Sequence, residues 1–277
     1  MKFISKLAYL TEKWGLLYFL SHMGPYRLGV FFAFFHRKSF LRQIKNNKNK
    51  NILCSERSVF KRDLEILKNS KEFNFISYNS FVYGHFVAFF IPKWMRTQIL
   101  FSKYLENQTN IKVKEDIQSF AEGFIDYIQK NIRIDAVLFS GIDYYQDHGL
   151  HLALKDRNIP FISIYYENYT IPYAQKLATS TYKDYNLKFL GDAIGTFSQN
   201  SSNVFIEAEV LPADKIFITG APRLDTWKDL AQSTTTRTKI VLFSFPGFDY
   251  IAGFNFIYIL HTFAFLSRVY GSKREFV

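Results

Sequence analysis

Two ionisable side chains in the middle of the chain are candidates for acid–base catalysis. Glu167 directly follows the apolar run IPFISIYY (159–166), which predicts a β-strand. A carboxylate just past the end of a parallel strand lies at the edge where ligands bind, so it can accept a proton from a hydroxyl group or hydrogen-bond to one. His148, at helical spacing within 143–157, is a second candidate acid or base. The structural alternatives are a loop or capping role for Glu167 and packing or a surface position for His148.

Polar residues also follow two other predicted strands. Glu56 and Arg57 come after the run NILCS (51–55), and Ser140 ends the run IDAVLFS, with Asp143 close behind. Strand ends of one parallel sheet share an edge, which makes these four residues candidates for substrate binding.

Three of these candidates have a structural alternative. Asp143 suits the capping position of the helix predicted to follow it, and we expect capping there. Glu56 and Arg57 equally suit local ion pairs with Lys61 or Asp63.

The stretch 210–225 organises the C-terminal part of this region. Its run KIFIT (215–219) predicts a short strand, Gly220 allows a tight turn, and the sequence then continues PRLD. Arg223 and Asp225 are thereby placed at the carboxyl edge of the sheet, as further candidates for substrate binding. A structural role is the alternative, for instance a bidentate arginine–carboxylate pair that holds an interdomain hinge.

Short apolar runs alternate with helical patterns through this region. Such alternation predicts an α/β fold with a Rossmann-like parallel sheet. The predicted strands are 51–55, 73–78, 134–140, 159–166, 191–197 and 215–219, with one more at 239–244 after a polar linker. Helices are predicted over 59–68, 95–106, 113–130, 143–157 and 198–211.

One stretch resembles a known family. Residues 219–225, TGAPRLD, are similar to the T-G-x-P-R-x-D pattern that ends the N-terminal domain of GT-B-type glycosyltransferases, and 205–216 are similar to the helix and loop before it. The nearest groups are glycosyltransferases of surface carbohydrate or capsular polysaccharide biosynthesis and CDP-glycerol-type polyol-phosphate transferases. UDP-sugar 2-epimerases share the architecture. The similarity is sharp over 205–225 and diffuse over 51–225.

The resemblance implies the N-terminal, acceptor-side domain of a GT-B architecture. We therefore expect three regions: an amphipathic aromatic and basic region (1–50), a Rossmann-like acceptor-side domain (51–229), and a linker with the stub of a truncated second Rossmann-like domain (230–277). In GT-B enzymes the nucleotide donor sits mainly on the second domain. The chain is therefore expected to be incomplete as a single-chain enzyme.

The function implied is transfer of a sugar from a nucleotide sugar to a glycan or lipid-linked acceptor, in surface polysaccharide or lipopolysaccharide assembly. Neither a cofactor nor a metal is expected, because helix N-termini and basic residues can stabilise the leaving phosphate. The nucleotide sugar is a substrate. The alternatives are a polyol-phosphate transferase using a CDP-polyol and a non-catalytic membrane-associated remnant.

The amino-acid composition and the absence of several motifs limit which ligands and partners the chain is expected to bind. Lys and Arg outnumber Asp and Glu by 35 to 24, a net charge of +11 that favours anionic partners. We expect no nucleic acid, because zinc spacings, RRM signatures and helix-turn-helix patterns are absent. Sequence motifs for a P-loop, a serine-hydrolase elbow, a zinc protease and a dinucleotide fingerprint are absent too. The single cysteine, Cys54, excludes an internal disulfide and suits the cytoplasm.

The N-terminal region is rich in aromatic and basic residues. It has no 18-residue apolar run and no signal-peptide cleavage site, so we expect two short amphipathic helices. These have three alternatives: packing on the protein, lying in a membrane interface, or spanning the membrane. The predicted location is cytoplasmic, peripheral on the inner face of the cell membrane, with its anionic surface as a partner.

Overall fold

The structure is a computed structural model that describes residues 24–97, 101–169 and 171–229, together with 239–240 and 275–276. The chain divides into two compact units, Met1–Asp225 and Thr226–Val277. In the second unit, Lys239–Ile240 and Glu275–Phe276 pair as short parallel strands. The remainder of the strand predicted over 239–244 lies outside the described residues. All of the predicted site residues belong to the first unit.

The first unit is built on a six-stranded sheet in which every neighbouring pair is parallel. Its strands are β1 (Lys50–Glu56), β2 (Phe73–Asn79), β3 (Ala136–Phe139), β4 (Phe161–Ile164), β5 (Ala193–Thr196) and β6 (Ile216–Ile218). They lie side by side in the order β2-β1-β3-β4-β5-β6. The predicted α/β, Rossmann-like parallel sheet is therefore confirmed.

Helices connect these strands. They are α1 (Pro25–Gln43), α2 (Lys61–Leu67), α3 (Ser80–Ala88), α4 (Ser102–Leu105), α5 (Ile111–Asn131), α6 (Tyr145–Lys155), α7 (Pro172–Asp184) and α8 (Gln199–Glu207). Short 3-10 helices cover Ser58–Phe60, Lys93–Thr97, Gln108–Asn110, Ala213–Lys215 and Pro222–Asp229. Two helices begin at side-chain caps, because Asn79 accepts from the Val82 N–H and Ser198 from the Ser201 N–H.

One helix prediction differs from the structure, and two of the described helices were not predicted. The single helix predicted over 95–106 is wrong, because a 3-10 helix ends at Thr97 and α4 covers only Ser102–Leu105. Residues 98–100, between them, lie outside the described residues. Helices α3 and α7 were not predicted, and α7 buries only Thr179 and Tyr182.

The two longest of the described helices, α1 and α5, pack at unusually close range. A Cβ atom added to Gly29 would lie 1.9 Å from the carbonyl oxygen of Phe120, and one added to Gly123 would lie 2.0 Å from that of Tyr26. The backbones can approach this closely because neither helix has a side chain at its crossing point. Beside the crossing, the Tyr26 hydroxyl of α1 donates to the Asp126 carboxylate of α5 at 3.0 Å. Arg157, which follows α6, donates to the same carboxylate at 3.0 Å.

Helix α1 is therefore part of the protein core. Leu28, Phe32 and Phe40 on its inner face are at most 1% exposed and belong to the same apolar cluster as α5. The part of the predicted N-terminal region from Gly24 onward thus packs on the first unit, while 1–23 lie outside the described residues. No helix within the described ranges is both long enough and apolar enough to cross a bilayer.

Apolar clusters cover both faces of the sheet. Leu53 and Val137 join a large aromatic-rich cluster on one face, while Cys54 and Leu138 join Phe60 in a smaller cluster on the other. Neighbouring residues of one strand thus enter different clusters, which explains the continuous apolar runs.

The strand order has one reversal point, at β1. The chain moves from β1 outward to β2, then returns to the other side of β1 and continues outward from β3 to β6. In open α/β sheets the crevice at such a reversal, beyond the carboxyl ends of the strands, is where ligands bind. Here that crevice lies between the segments that follow β1 and β3.

Candidate functional site at the carboxyl edge of the sheet

An arginine and a buried aspartate occupy the crevice beyond β1 and β3. The guanidinium of Arg57 lies 3.6 Å from the centroid of the Tyr144 ring, a cation–π contact. Its Nη1 is 3.9 Å from Oδ2 of Asp147, while Oδ1 of Asp147 accepts from the Ser55 hydroxyl at 3.0 Å. Gly141 makes room for the ring, because a Cβ there would lie 2.4 Å from Tyr144 Cε2.

The burial of this group has an electrostatic consequence. Asp147 is 1% exposed, and burial raises the pKa of its carboxyl group, opposed by the charge of Arg57 and the hydrogen bond from Ser55. Burial also raises the pKa of Tyr78 and Tyr83 well above the usual tyrosine value, with the Asp147 carboxylate adding to the shift.

Several buried polar atoms in this part of the fold have no hydrogen-bond partner within the described residues. Polar atoms in such positions ordinarily bind water or a ligand. They include Arg57 Nη1, Asp147 Oδ2, Ser140 Oγ, Tyr78 OH and Tyr83 OH.

Asp143 and His148 are tied into the core beside the crevice. Asp143 accepts hydrogen bonds from the Ser102 hydroxyl at 2.7 Å and from the Ser102 backbone N–H at 3.1 Å. It does not cap the next helix as expected, because the cap of α6 is Tyr144, whose side chain makes no capping bond. His148 is 6% exposed, and its Nδ1 is 3.4 Å from the Asp143 carboxylate.

Glu167 lies beyond β4 and accepts a hydrogen bond from the Tyr165 hydroxyl at 2.7 Å. The hydroxyls of Tyr165, Tyr169 and Tyr182 lie within 3.2 Å of one another, so they form a closed triangle beneath the carboxylate. Burial is the main cause that raises the pKa of all three tyrosines, so they remain neutral donors. The half-buried Glu167 is thus held by a hydrogen bond while part of it faces solvent.

Polar and aromatic groups run continuously along this edge. The Tyr144 hydroxyl is 3.1 Å from that of Tyr166, which precedes Glu167, and Asn168 Oδ1 accepts from the Ser198 hydroxyl at 2.7 Å. The carboxyl ends of β1, β3, β4 and β5 are linked in this way. We call Arg57, Tyr144, Tyr166, Glu167 and Asn168 the edge row.

A separate cleft of about 460 Å³ opens where α1 meets the carboxyl ends of β1 and β2. On its floor, Ser77 Oγ lies 2.9 Å from Glu56 Oε2 and accepts from Lys68 Nζ at 2.9 Å. Phe35, which is 49% exposed, and Arg42 belong to the lining contributed by α1. Glu56 thus pairs with Lys68, at 3.8 Å, and not with the Lys61 of the sequence expectation.

The end of the motif stretch is anchored to α2. The Arg223 backbone N–H donates to Asp63 Oδ1 at 2.8 Å, and its guanidinium forms an ion pair with the same carboxylate. Its guanidinium also lies 4.7 Å from the centre of the Phe197 ring. The carboxylate of Asp63 is thus a partner of Arg223, while the neighbouring Asp225 is exposed.

The structure therefore brings together part of the predicted set. Arg57, Ser140 and Asp143 surround the β1–β3 crevice, Glu167 lies on the same edge, and Glu56 faces the adjacent cleft. Asp147 is the main member that sequence reasoning left unassigned. No group of three or more His, Cys, Asp or Glu that could hold a metal occurs in the described part of the chain.

Known proteins give little further information about the function of this site. No protein-family model and no curated protein matches the chain. Among solved structures, the UDP-N-acetylglucosamine 2-epimerase from Rickettsia bellii is similar, with a TM-score of 0.39 and 16% identity. The match covers 81% of this chain and 60% of the epimerase, so the chain spans less than two thirds of that protein. A likeness of this size carries no argument about activity.

Proposed function

We propose that the first unit binds the acceptor in a glycosyl transfer reaction whose donor is a nucleotide sugar and whose acceptor is a glycan or lipid-linked sugar. The observation that carries the proposal is the edge row. It sets one carboxylate, one cation and two tyrosine rings along the carboxyl ends of a parallel sheet, where ligands bind in this architecture. The TGAPRLD resemblance agrees with it.

In this proposal Glu167 is the general base. It takes the proton of the acceptor hydroxyl, whose oxygen forms the new bond to the anomeric carbon of the donor sugar. The bond between that carbon and the phosphate oxygen breaks, and the nucleoside diphosphate leaves with the electron pair. The Tyr165 hydrogen bond holds the Glu167 carboxylate in place, and the charge of Arg57 favours the negative charge that develops.

The cleft beside α1 extends the proposed acceptor site. A carboxylate, a hydroxyl and a lysine that contact one another, as Glu56, Ser77 and Lys68 do, can hydrogen-bond to several sugar hydroxyls at once. The exposed ring of Phe35 offers a flat apolar surface for a sugar face.

A second candidate is a polyol-phosphate transferase. Three cations favour it, because Arg57 lies in the crevice while Arg42 and Lys68 line the cleft, and an acceptor that carries phosphates would bind to such groups.

A ligand panel tests both candidates on the full chain. Saturation-transfer NMR would be run with UDP-glucose, UDP-N-acetylglucosamine, CDP-glycerol and short neutral or phosphate-bearing glycans, with transfer products followed by mass spectrometry. We expect the acceptor glycans to bind to the chain. A transfer product, where one forms, identifies the class of donor. If no glycan binds, the proposal is wrong.

Glu167→Gln then tests the assigned base. Loss of a general base lowers the rate by about 100-fold or more, while glycan binding is retained. The matched control is Glu115→Gln, an exposed carboxylate of α5, which is expected to leave the rate unchanged. Equal rates in the two variants would remove Glu167 from the mechanism.

A further inference from the structure

The outer face of α1 is strongly basic, whereas its inner face is apolar and belongs to the core. Arg27, Arg37, Lys38 and Arg42 are all exposed, and the helix contains no acidic residue. Helix α5, which packs beside it, carries three lysines and four acidic residues, as solvated helices commonly do. Helix α1 therefore carries a net positive charge that this neighbouring surface helix lacks.

Large apolar side chains are exposed among these cations. Phe34 is 56% exposed, Phe35 49% and Leu41 43%. Arg27, Phe34 and Leu41 are seven residues apart, and Lys38 is four residues from Phe34, so all four share one side of the helix. Exposed aromatic residues interleaved with cations are typical of helices that lie in a membrane interface.

We infer that α1 docks the protein on an anionic phospholipid surface, with Phe34 and Leu41 entering the interface and Arg27, Arg37 and Lys38 facing lipid phosphates. Charge complementarity selects this occupant, because four cations without an acid on one helix attract the negative surface of a bilayer. The sequence before α1 has the same character, with Lys2, Lys6 and Lys13 against a single acid, Glu12.

The position of α1 gives this docking a consequence for the cleft described above. Phe35 and Arg42 line that cleft from the helix whose outer face meets the lipid. A lipid-linked sugar could then reach the cleft from the bilayer surface. This last step rests on the proposed function, whereas the docking itself does not.

Vesicle sedimentation of the full chain tests the docking. One set of vesicles contains phosphatidylcholine alone, and the other contains equal amounts of phosphatidylcholine and phosphatidylglycerol. We expect sedimentation with the mixed vesicles only, and weaker binding as salt is raised, because the charges are screened. Equal binding to neutral vesicles, or none to either kind, would overturn the inference.

Paired variants locate the surface. Each cation near an anionic membrane strengthens binding by about fivefold, so Arg37→Gln with Lys38→Gln should weaken partitioning by about 30-fold. The control, Lys112→Gln with Lys114→Gln on α5, removes the same charge and should change binding much less. If both pairs weaken binding equally, net charge and not α1 is responsible.

Phe34→Ser tests the apolar contribution and should weaken binding by about tenfold. Its control is Tyr173→Ser, which removes an exposed ring from α7. Sedimentation velocity without lipid tests whether a second copy of the chain covers α1 instead. We expect a monomer, and a dimer that is lost in Phe34→Ser would contradict the membrane assignment. Glu167→Gln should bind vesicles as the unaltered chain does, which separates failure of the docking from failure of the proposed chemistry.

Discussion

The close crossing of α1 and α5 makes Gly29→Ala a sharp test of the fold. The new Cβ would lie 1.9 Å from the Phe120 carbonyl oxygen, whereas ordinary contact begins at 3.4 Å. The two helices must therefore move apart locally by about 1.5 Å, the difference between these distances. Because the opposing atom belongs to the backbone, no change of rotamer can relieve the overlap.

The expected cost follows from two opposing effects. Overpacking in a core costs about 1–3 kcal/mol, and a contact with backbone belongs at the upper end. Alanine recovers about 1 kcal/mol through its better helix propensity. The net loss is about 2 kcal/mol, which corresponds to a fall in melting temperature of about 4–8 °C for a unit of this size.

Gly84→Ala is the matched control, because Gly84 is also a buried helical glycine. Its added Cβ would meet Gln146 Cγ at 2.7 Å, part of a flexible side chain that can shift. We expect little change in stability there. Thermal unfolding followed by circular dichroism measures both variants. If Gly29→Ala melts at or above the temperature of Gly84→Ala, the close helix crossing is not present in solution.

Two further predictions concern buried charge. Burial, with His148 nearby, lowers the pKa of His151 well below its ordinary 6.5. The unfolded chain therefore binds the proton at a higher pH than the folded chain does. The free energy of unfolding then falls as the pH drops below 6.5, by up to about 1.4 kcal/mol per pH unit. His151→Leu should flatten the melting temperature between pH 7 and pH 5, and an unchanged slope would refute the assignment. Arg223→Ala leaves the buried Asp63 without its ion-pair partner and should cost about 2 kcal/mol, a value below that of a fully buried pair because Arg223 is 29% exposed. Thermal unfolding measures this loss, with Arg62→Ala, which removes an exposed arginine of α2, as the control. Equal stability of the two variants would contradict the prediction.

The strands could be predicted because each one carries its own signal. The run AVLF (136–139) is apolar throughout, since Leu138 faces one cluster and Val137 and Phe139 face the other. Helix α7 has no comparable signal, because only Thr179 and Tyr182 are buried along its length. The run over 95–106 has helical periodicity, but its residues are divided between two short segments that pack separately.

The placement of candidate residues at the carboxyl edge could also be predicted, whereas their partners could not. Nearness in sequence suggested Lys61 or Asp63 as partners for Glu56 and Arg57. The structure pairs Arg57 with Asp147 and Asp63 with Arg223, and the second pair is separated by 160 residues. Such pairs depend on which strands become neighbours, and no local pattern in the sequence encodes that order.

The position of β1 between β2 and β3 also affects how the chain folds during synthesis. β2 emerges soon after β1 and can pair with it, but the other neighbour, β3, aligns Ala136 with Ile52 and is made 84 residues later. Until then the free edge of β1 exposes unpaired backbone groups beside Leu53 and Cys54, and an edge of that kind recruits strands from other chains. We therefore expect the nascent chain to be most prone to aggregation between synthesis of β2 and β3, and fragments that end before Ala136 to be insoluble.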